Sequence, residues 1–500
     1  MDRLDFGGND ETGDTRGDAV EYFPLSPAQL GIWYAQHVDP QVPVTIAQYV
    51  DLHGDLDPEL LLQVSIRASL ETGSGYLRII ERDGEPLQGV DPSLSSEQEY
   101  VDLRGAEDPE AAAAEWMRAE YSRPLDIVAD RLIKTAALQL GEHRWYWYTR
   151  IHHIALDGLA ATNYVARIAE LYTAETRGEE PAAAKATPLR TLYDAEIAYR
   201  DSSRFDSDRE YWAARVAGLE EGTSLTGRSA PPSALNNVAS AALTDEQDDL
   251  LAAAVAKHDN TPAGLLIAAF GAYLAQLTGA EDVILSLPVT ARTTAAMRRA
   301  GGVTSNIVPL RLAVGYDSTV ADLLKRVQVE VSGALRHQRY RHEDIRRDAA
   351  GDGMVTTEFF GPWVNIMLFH SEIVLGEMTG RLNVLSTGSI EDLGVNFYQS
   401  TTGSHTHIDF ETNPNLYSSD EGRTHHGRFL EFFQRFLAAD ADTEVWSLPA
   451  TTAEERERTL VEWNDAEQDV PTTTLVALLD EQIARTPERT ALRFEGTSLS

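Results

Sequence analysis

The chain of 500 residues contains no cysteine. This absence excludes disulfide scaffolds, thiol nucleophiles and every metal or iron–sulfur site that needs cysteine ligands. Basic residues are scarce too: 42 Lys and Arg stand against 79 Asp and Glu, which leaves a formal charge of −37. Such a charge repels a polyanion and argues against nucleic-acid binding. The composition therefore predicts a soluble protein of the cytoplasm that binds no nucleic acid.

Signals for secretion and for membrane insertion are missing as well. Residues 1–20 are acidic and glycine-rich, without the basic start and apolar core of a secretory signal, and predict a disordered acidic tail. The longest nearly apolar stretch, Ala263 to Leu277, contains Gln276 and is shorter than the ~20 residues that span a bilayer. With Thr261 as N-cap and Gly279 just past its end, this stretch predicts a buried helix.

What the sequence does contain is an alternation of helical and strand patterns. At roughly 150 residues per domain, the length and the 43% hydrophobic residues predict a globular α/β chain of about three units. We expect a first lobe over residues 21–178, a second over 179–447, and a linker with the start of another domain over 448–500. In the first lobe, patterns predict helices at Pro58–Leu70, Glu110–Tyr121 and Leu159–Thr173, a hairpin around Asp83-Gly84, and strands at Leu132–Leu140 and Arg144–Ile151.

The second lobe repeats this mixture after a linker between Ala174 and Pro188. A strand that has only just begun at Ser500 suggests that the chain is cut from a longer one. The predicted helices of this lobe are Asp245–His258, Pro262–Leu277, Val320–Arg336 and Arg423–Leu437, and the predicted strands are Asp282–Pro288, Trp363–Phe369, Gly394–Tyr398 and His407–Phe410.

The sharpest chemical signal is IHHIALDG, at residues 151–158, directly after an aromatic strand and before a helix. Neighbouring side chains of an extended segment point to opposite faces, so one of His152 and His153 can be buried support while the other faces a cleft. A strand-to-helix turn is a place where a side chain projects into such a cleft. The motif therefore predicts a histidine placed for chemistry.

Four interpretations compete for this motif. The two histidines can be structural, or they can bind a metal, for which His405 and His407 are the distant further ligands; diverging neighbours make poor metal ligands, and we expect no metal. A nucleophilic hydrolase is poorly supported because no G-x-S-x-G motif and no cysteine occur. A general-base or positioning histidine in an acyl transfer without covalent enzyme intermediate fits best.

Together with other motifs, these residues resemble the condensation domains of nonribosomal peptide synthetases over about residues 21–447. One match alone would be weak, but the order is that of the family. The matching segments are SPAQLGIWYAQ (26–36), HHIALDG (152–158), DREYW (208–212), LSLPVTAR (285–292), SNIVPLR (305–311), HQRYRHEDIRRD (337–348) and GPWVNIMLF (361–369).

The resemblance implies two chloramphenicol-acetyltransferase-like lobes that form a V-shaped pseudo-dimer with the active site at their junction. It implies a tunnel that two phosphopantetheine arms enter from opposite faces, one with an acyl donor and one with an aminoacyl acceptor. The partners are then a donor carrier protein, a downstream acceptor carrier and an adjoining adenylation domain, and the domain itself binds no cofactor. Residues 455–500 resemble the start of that adenylation domain; no G-x-x-x-x-G-K-[ST] loop occurs, so this chain cannot activate amino acids with ATP.

The resemblance also assigns roles to single residues. His153 is implied as the catalytic group, a general base or a holder of the attacking amine, with His152 as support. Asp157 is implied to pair with Arg292 of the other lobe; as an alternative or in addition it caps the helix that follows. Gly158 would let backbone approach the substrate.

Other positions keep two interpretations. Asn306 and Asn365 match family positions near the channel, but either can be a buried amide that completes the fold. Trp33 and Tyr34 are expected in the core.

Two departures from the family pattern point to a subtype. Leu30-Gly31 stands where an arginine is usual, and SLETGSGYLRII replaces the second motif, so that only Arg78 is comparable. These departures resemble first-module condensation domains of catecholate siderophore synthetases. That likeness implies an aryl acid donor, commonly 2,3-dihydroxybenzoate, on a separate aryl carrier protein.

Other functions stay open at this point. A catalytically silent recruitment platform of the same fold would lack the active-site motif, which is intact here. A stand-alone acyltransferase or an epimerising relative is less favoured, because an adenylation start adjoins the domain.

Overall fold

A computed structural model describes residues 20–219, 222–350, 361–367, 372–398, 405–465 and 471–500. The tail expected over residues 1–20 lies outside these ranges up to residue 19, as do the last two residues of the strand expected at Trp363–Phe369. The chain divides into two compact units, Met1–Ala450 and Thr451–Ser500.

Capped helices carry much of the first unit. Ser, Thr and Asp side chains accept a backbone N–H at the start of most of them, and proline occupies the first turn of several. The helices are α1 (Pro27–Val38), α2 (Pro58–Thr72), α3 (Pro109–Tyr121), α4 (Gly158–Arg177), α5 (Leu189–Arg200), α6 (Ser203–Val216), α7 (Asp245–His258), α8 (Pro262–Thr278), α9 (Ala295–Arg299), α10 (Val320–Arg336), α11 (His342–Ala350) and α12 (Ser419–Ala438).

The strands of the first unit fall into three sheets, in the orders β1-β4-β3, β12-β13-β2-β7-β6-β5 and β10-β9-β11-β14-β15-β8. Both larger sheets are mixed, with parallel neighbours at β5–β6 and around β11. The strands are β1 (Phe23–Pro24), β2 (Thr45–His53), β3 (Leu77–Arg82), β4 (Glu85–Val90), β5 (Glu97–Asp102), β6 (Ile133–Gly141), β7 (Arg144–His152), β8 (Asn237–Ala242), β9 (Asp282–Val289), β10 (Asn306–Ala313), β11 (Trp363–Met367), β12 (Glu372–Leu375), β13 (Met378–Ser386), β14 (Leu393–Tyr398) and β15 (His407–Thr412).

Each larger sheet has its own hydrophobic core. In the first lobe, aromatic and aliphatic residues of β2 and β7 pack with α2 and α4, and a smaller cluster lies under α3. In the second lobe, α8, α10 and α12 cover the sheet, and α8 is buried from Gly264 to Ala275. Thr261 caps α8 and Gly279 ends it in the left-handed region, so the predicted buried helix is confirmed.

The sequence-based lobe boundaries need one correction. β12 and β13 belong to the chain segment assigned to the second lobe, yet β13 pairs with β2 in the sheet of the first lobe. Residues 372–386 therefore cross over and extend the first sheet. The expected division at residue 178 misses this exchange, because strand pairing over more than 300 residues leaves no local signal.

Other differences are smaller. The hairpin at Asp83-Gly84 is confirmed, and both residues have the positive φ that a tight two-residue turn needs. Helix α4 runs to Arg177, past the predicted end at Thr173, because Gly178 supplies its left-handed cap. Trp33 is buried as expected, but Tyr34 is 60% exposed because it lies on the outer face of α1.

The second unit contains α13 (Ala453–Leu460), α14 (Leu475–Arg485) and a hairpin of β16 (Leu492–Phe494) and β17 (Thr497–Leu499). Among the described residues of the whole chain, no single helix has both the length and the apolar composition to cross a bilayer. Only α7 and α8, bent by 96° at the break between them, meet those criteria jointly.

The crossover predicts a position that tolerates no side chain. A Cβ on Gly380 of β13 would lie 2.7 Å from the backbone oxygen of Asp51. We expect Gly380→Ala to lower the free energy of unfolding by about 1–3 kcal/mol through overpacking, measured by denaturant titration. Gly427→Ala is the matched control: this glycine lies inside α12 with open space around it, so alanine should stabilise by about 0.5–1 kcal/mol. Equal stability of the Gly380 variant and the parent chain would contradict the tight fit.

Candidate active site

The two histidines lie where strand β7 ends and the chain turns into helix α4. His152 is the last residue of β7, and α4 begins at Gly158. A tight turn starts at once, because the N–H of Ala155 donates to the His152 carbonyl at 2.9 Å. His153 therefore stands at the tip of the strand, at the start of this turn.

His152 is a fully buried, fully partnered side chain. Its Nε2 lies 2.6 Å from Oε1 of Gln36, and its Nδ1 accepts the N–H of Ile154 at 3.1 Å. Burial lowers the pKa of His152 to about 3, helped by the nearby His153 and Arg150. The ring is therefore neutral and holds the turn.

His153 differs from its neighbour in what its ring meets. Its backbone N–H donates to the carbonyl of Val44 at 2.8 Å, which anchors the residue on β2. The ring is half-buried, and its Nδ1 is buried with no hydrogen-bond partner among the described residues. Burial lowers the pKa of His153, and the charge of Asp157 opposes this shift. The side chain is therefore a neutral imidazole.

Asp157 makes both of the contacts expected of it, the helix cap and the ion pair with Arg292. Its Oδ1 accepts the N–H of Ala160 at 2.9 Å and so caps α4. Its Oδ2 accepts from Arg292 Nη2 at 2.8 Å and from the backbone N–H groups of Thr304 and Ser305 at 3.0 and 3.2 Å. One carboxylate thus joins α4 of the first lobe to the segment before β10 of the second.

Arg292, the residue expected to pair with Asp157, is buried. Its guanidinium also donates hydrogen bonds to backbone oxygens. Nη1 donates to the carbonyls of Met297 and Ala300, and Nη2 donates to that of Gly302 at 3.0 Å. The Asp157–Arg292 ion pair therefore has hydrogen bonds on every side, which is what a buried pair needs to offset its lost hydration.

The remaining predicted residues have different surroundings. Gly158 is exposed, and a Cβ there would meet no atom within 4 Å. Asn306 is buried, donates to the carbonyls of Gln338 and Tyr340, and accepts the N–H of His342. Its amide nitrogen and its amide oxygen both bond inside the fold, which matches the buried-amide alternative.

Asn365 is half-buried on β11 and belongs to a polar row across the second sheet. Its Nδ2 donates to Oδ1 of Asn396 at 3.0 Å, and Asn396 donates to Glu411 at 2.6 Å. Asn236 donates to the other oxygen of Glu411. Burial raises the pKa of Glu411. This row lies on the sheet face opposite the hydrophobic core around Val364.

The DREYW motif (208–212) packs against the first residue of the motif at 337–348, a contact that the sequence did not reveal. Asp208 of DREYW accepts from Nδ1 of His337 at 2.7 Å, and the Tyr211 ring stacks on the His337 ring at 3.9 Å between centroids. The Nε1–H of Trp212 donates to the His337 carbonyl. These motifs brace the second lobe rather than supply reacting groups.

The glycine that departs from the family pattern has a specific neighbour. A Cβ built on Gly31 of α1 would overlap the carboxylate of Glu343 on α11. Arg341 pairs with Glu343 and donates to the Ser305 carbonyl at 2.7 Å. The absence of a side chain at Gly31 therefore lets the second lobe approach α1 close to the site.

Arg78 and the two histidines of the alternative metal site all have polar side-chain partners. Arg78 forms an ion pair with Asp91. His405 contacts Asp248, and His407 accepts from Arg381 of the crossover strand at 2.8 Å. Within the described ranges, no three His, Asp or Glu side chains converge as a metal site would require.

The Asp157–Arg292 pair gives a stability prediction. Arg292→Met should lower the free energy of unfolding by about 3–5 kcal/mol, because it leaves a buried carboxylate without its cation. The double variant Asp157→Asn with Arg292→Met should lose less than the sum of the two single changes, measured by denaturant unfolding. Additive losses would show that the two side chains do not act as a pair.

A family model described as "Condensation domain" matches residues 20–459. The chain is 31% identical over 480 residues to a dimodular nonribosomal peptide synthase of Bacillus subtilis, covering 96% of this chain and 20% of that protein. It is 30% identical over 488 residues to enterobactin synthase component F of Escherichia coli, covering 94% and 36%. The chain thus spans about a fifth to a third of the length of these relatives.

Solved structures agree with the fold. The starter condensation domain of rhizomide synthetase, in complex with C8-CoA, has a TM-score of 0.80 at 31% identity and covers 86% of this chain and 97% of that one. The first condensation domain of the calcium-dependent antibiotic synthetase has a TM-score of 0.79 at 30% identity, covering 86% and 99%. The expected α/β fold of two chloramphenicol-acetyltransferase-like lobes is confirmed. The chain belongs to the condensation domain family of nonribosomal peptide synthetases, acyltransferases that form amide bonds.

Proposed function

We propose that this chain joins an acyl thioester to an aminoacyl thioester, each carried on the phosphopantetheine arm of a carrier protein. The observation that carries the proposal is the state of His153: a neutral, half-buried imidazole at the tip of β7 whose Nδ1 has no hydrogen-bond partner within the described ranges. The same turn holds His152 and Asp157 rigidly on either side. A silent recruitment platform would not need an unoccupied imidazole held in this way.

The proposed step has a simple balance of bonds. The amine nitrogen of the acceptor attacks the thioester carbon, a C–N bond forms, and the C–S bond breaks. The nitrogen becomes acidic as it attacks, so the neutral ring of His153 can take its proton or orient it, and the proton ends on the departing thiolate. We assign this role to Nε2, because Nδ1 is buried.

The donor is proposed to be an aryl acid, in siderophore-type biosynthesis, delivered by a separate aryl carrier protein. The likeness to enterobactin synthase component F supports this choice, as do Gly31 and the changed second motif. A C8 acyl donor is the second candidate, because a starter condensation domain of similar identity was solved with C8-CoA. The other partners are a downstream acceptor carrier and an adjoining adenylation domain, and we propose that the domain holds no cofactor of its own.

The first experiment offers carriers loaded with 2,3-dihydroxybenzoyl or octanoyl groups, together with a panel of aminoacyl acceptor carriers, and weighs the products. We expect the aryl amide to form faster, by on the order of ten-fold or more. A product from the octanoyl donor alone would contradict the aryl donor but leave condensation standing. The absence of any amide with both donors would contradict the function itself.

His153→Ala should lower the rate of amide formation by about 10²–10⁴-fold and leave the melting temperature unchanged, because the ring bonds to no other residue of the described ranges. His143→Ala is the matched control, since His143 is an exposed histidine whose ring bonds to the exposed Asp55. The rate is measured with both carriers saturating. An alanine variant as active as the parent chain would rule out the proposed role of His153.

The pH dependence follows from the lowered pKa of His153. The catalytic form is the neutral ring, so its population is lost only as the pH falls through a value below the ordinary 6.5 of histidine. Protonation of the acceptor amine affects both enzymes alike, so the ratio of parent to His153→Ala rates isolates the ring. We expect this ratio to stay level from pH 8 to pH 6.5 and to fall at pH values lower than 6.5. A fall that begins above pH 7 would mean that the ring is not desolvated.

A further inference from the structure

Helix α1 presents two buried glutamines to the active-site turn. Gln29 and Gln36 are seven residues apart, which places them on one face of the helix. Nε2 of Gln29 donates to the carbonyl of Ile154 at 3.2 Å, and Oε1 of Gln36 lies 2.6 Å from Nε2 of His152. The turn that carries His153 is therefore held from α1 at two points.

The hydrogen bonds around Gln36 allow only one arrangement of hydrogens. The carbonyl of Leu125 can only accept, so the amide nitrogen of Gln36 must be the group that faces it, at 2.7 Å. The amide oxygen then faces His152, and Nε2 of His152 must carry the hydrogen. Nδ1 of His152 is left unprotonated and free to accept the N–H of Ile154 at 3.1 Å. The backbone of residue 125 thus dictates the tautomer of His152.

We propose that Gln36 is a positioning residue for the condensation reaction, which fixes His152 as the Nε2–H tautomer and thereby fixes the turn that aims His153. This inference rests on the proposed function. The other tautomer, or the imidazolium, would point Nδ1–H at the N–H of Ile154, two donors against each other. The turn would then open beside the reacting ring, and a displacement of about 1 Å there can cost on the order of a hundred-fold in rate.

The charged surroundings of His152 agree with a neutral ring. The titratable groups that act on it are His153 in its own turn and Arg150 on its own strand. The charge of Arg150 is balanced by Glu120 of α3 at 3.2 Å and Glu97 of β5 at 3.5 Å. α1 contributes only the neutral amide of Gln36. No carboxylate contact to His152 occurs among the described residues, so nothing there favours its protonation.

The first test measures the tautomer in the full chain labelled with ¹⁵N-histidine. Long-range ¹H–¹⁵N correlation at neutral pH should show His152 with a protonated Nε2 and an unprotonated Nδ1, assigned by the loss of its signals in His152→Asn. Protonation at Nδ1, or at both nitrogens, would overturn the proposal. This measurement needs no catalytic turnover, so it stands even if the proposed function fails.

The second test is a double-mutant cycle on amide formation. Gln36→Met keeps the volume but removes the acceptor, and should lower kcat by on the order of ten-fold to a hundred-fold with little change in the KM for either carrier. Asparagine at residue 152 places its oxygen near the position of Nδ1 and has no tautomer to choose. In the His152→Asn background, Gln36→Met should therefore change kcat by less than about two-fold. Gln41→Met, at an exposed glutamine beyond α1, is the control.

The outcomes separate the two proposals. Equal losses from Gln36→Met in both backgrounds would show that Gln36 acts only through stability, and an unchanged kcat in the single variant would show that it does not act at all. Either result overturns the role of Gln36 while the parent chain still forms amide. A parent chain that forms no amide overturns the proposed function instead.

Discussion

The site depends on one buried carboxylate that is shared between the two lobes. Asp157 closes the first turn of α4 with one oxygen and collects Arg292, Thr304 and Ser305 with the other. A buried charge is costly unless each lone pair is used, and here the donors come from chain segments about 140 residues apart. Asp157 therefore stabilises both the start of α4, where the turn after His153 ends, and the docking of the second lobe.

A second connection works by strand pairing instead of charge. β13 reaches from the second lobe to extend the first sheet beside β2, and Arg381 on that strand bonds to His407 on β15. The carbonyl of Val44, the residue just before β2, accepts the backbone N–H of His153. The strand that pairs with the crossover is thus preceded directly by the residue that holds the backbone of His153. An ion pair and a sheet extension together limit how far the lobes can separate around the site.

Local chemistry is what the sequence could predict. The hairpin at Asp83-Gly84 and the capped helix α8 follow from turn residues and apolar spacing, and the divergence of His152 and His153 follows from the strand period. The pairing partner of Asp157 came from family resemblance and not from any pattern in the residues themselves. The crossover of 372–386 and the contact of Gly31 with Glu343 join distant segments, and no local rule encodes them. The proposed role of Gln36 could not be predicted for a related reason: it depends on a hydrogen bond to a carbonyl 89 positions away.

Two adjacent histidines are both desolvated, and yet their surroundings differ because their hydrogen-bond partners differ. Desolvation lowers the pKa of both, so both rings are neutral. Both ring nitrogens of His152 have hydrogen-bond partners, so this side chain holds the turn in place. His153 has no partner for Nδ1 and keeps its ring half-buried, so its chemistry stays available. For the proposed reaction a weak base is sufficient, since the attacking amine turns strongly acidic only as the C–N bond forms. A ring with a higher pKa would be a stronger base, but more of it would already hold a proton before the amine arrives.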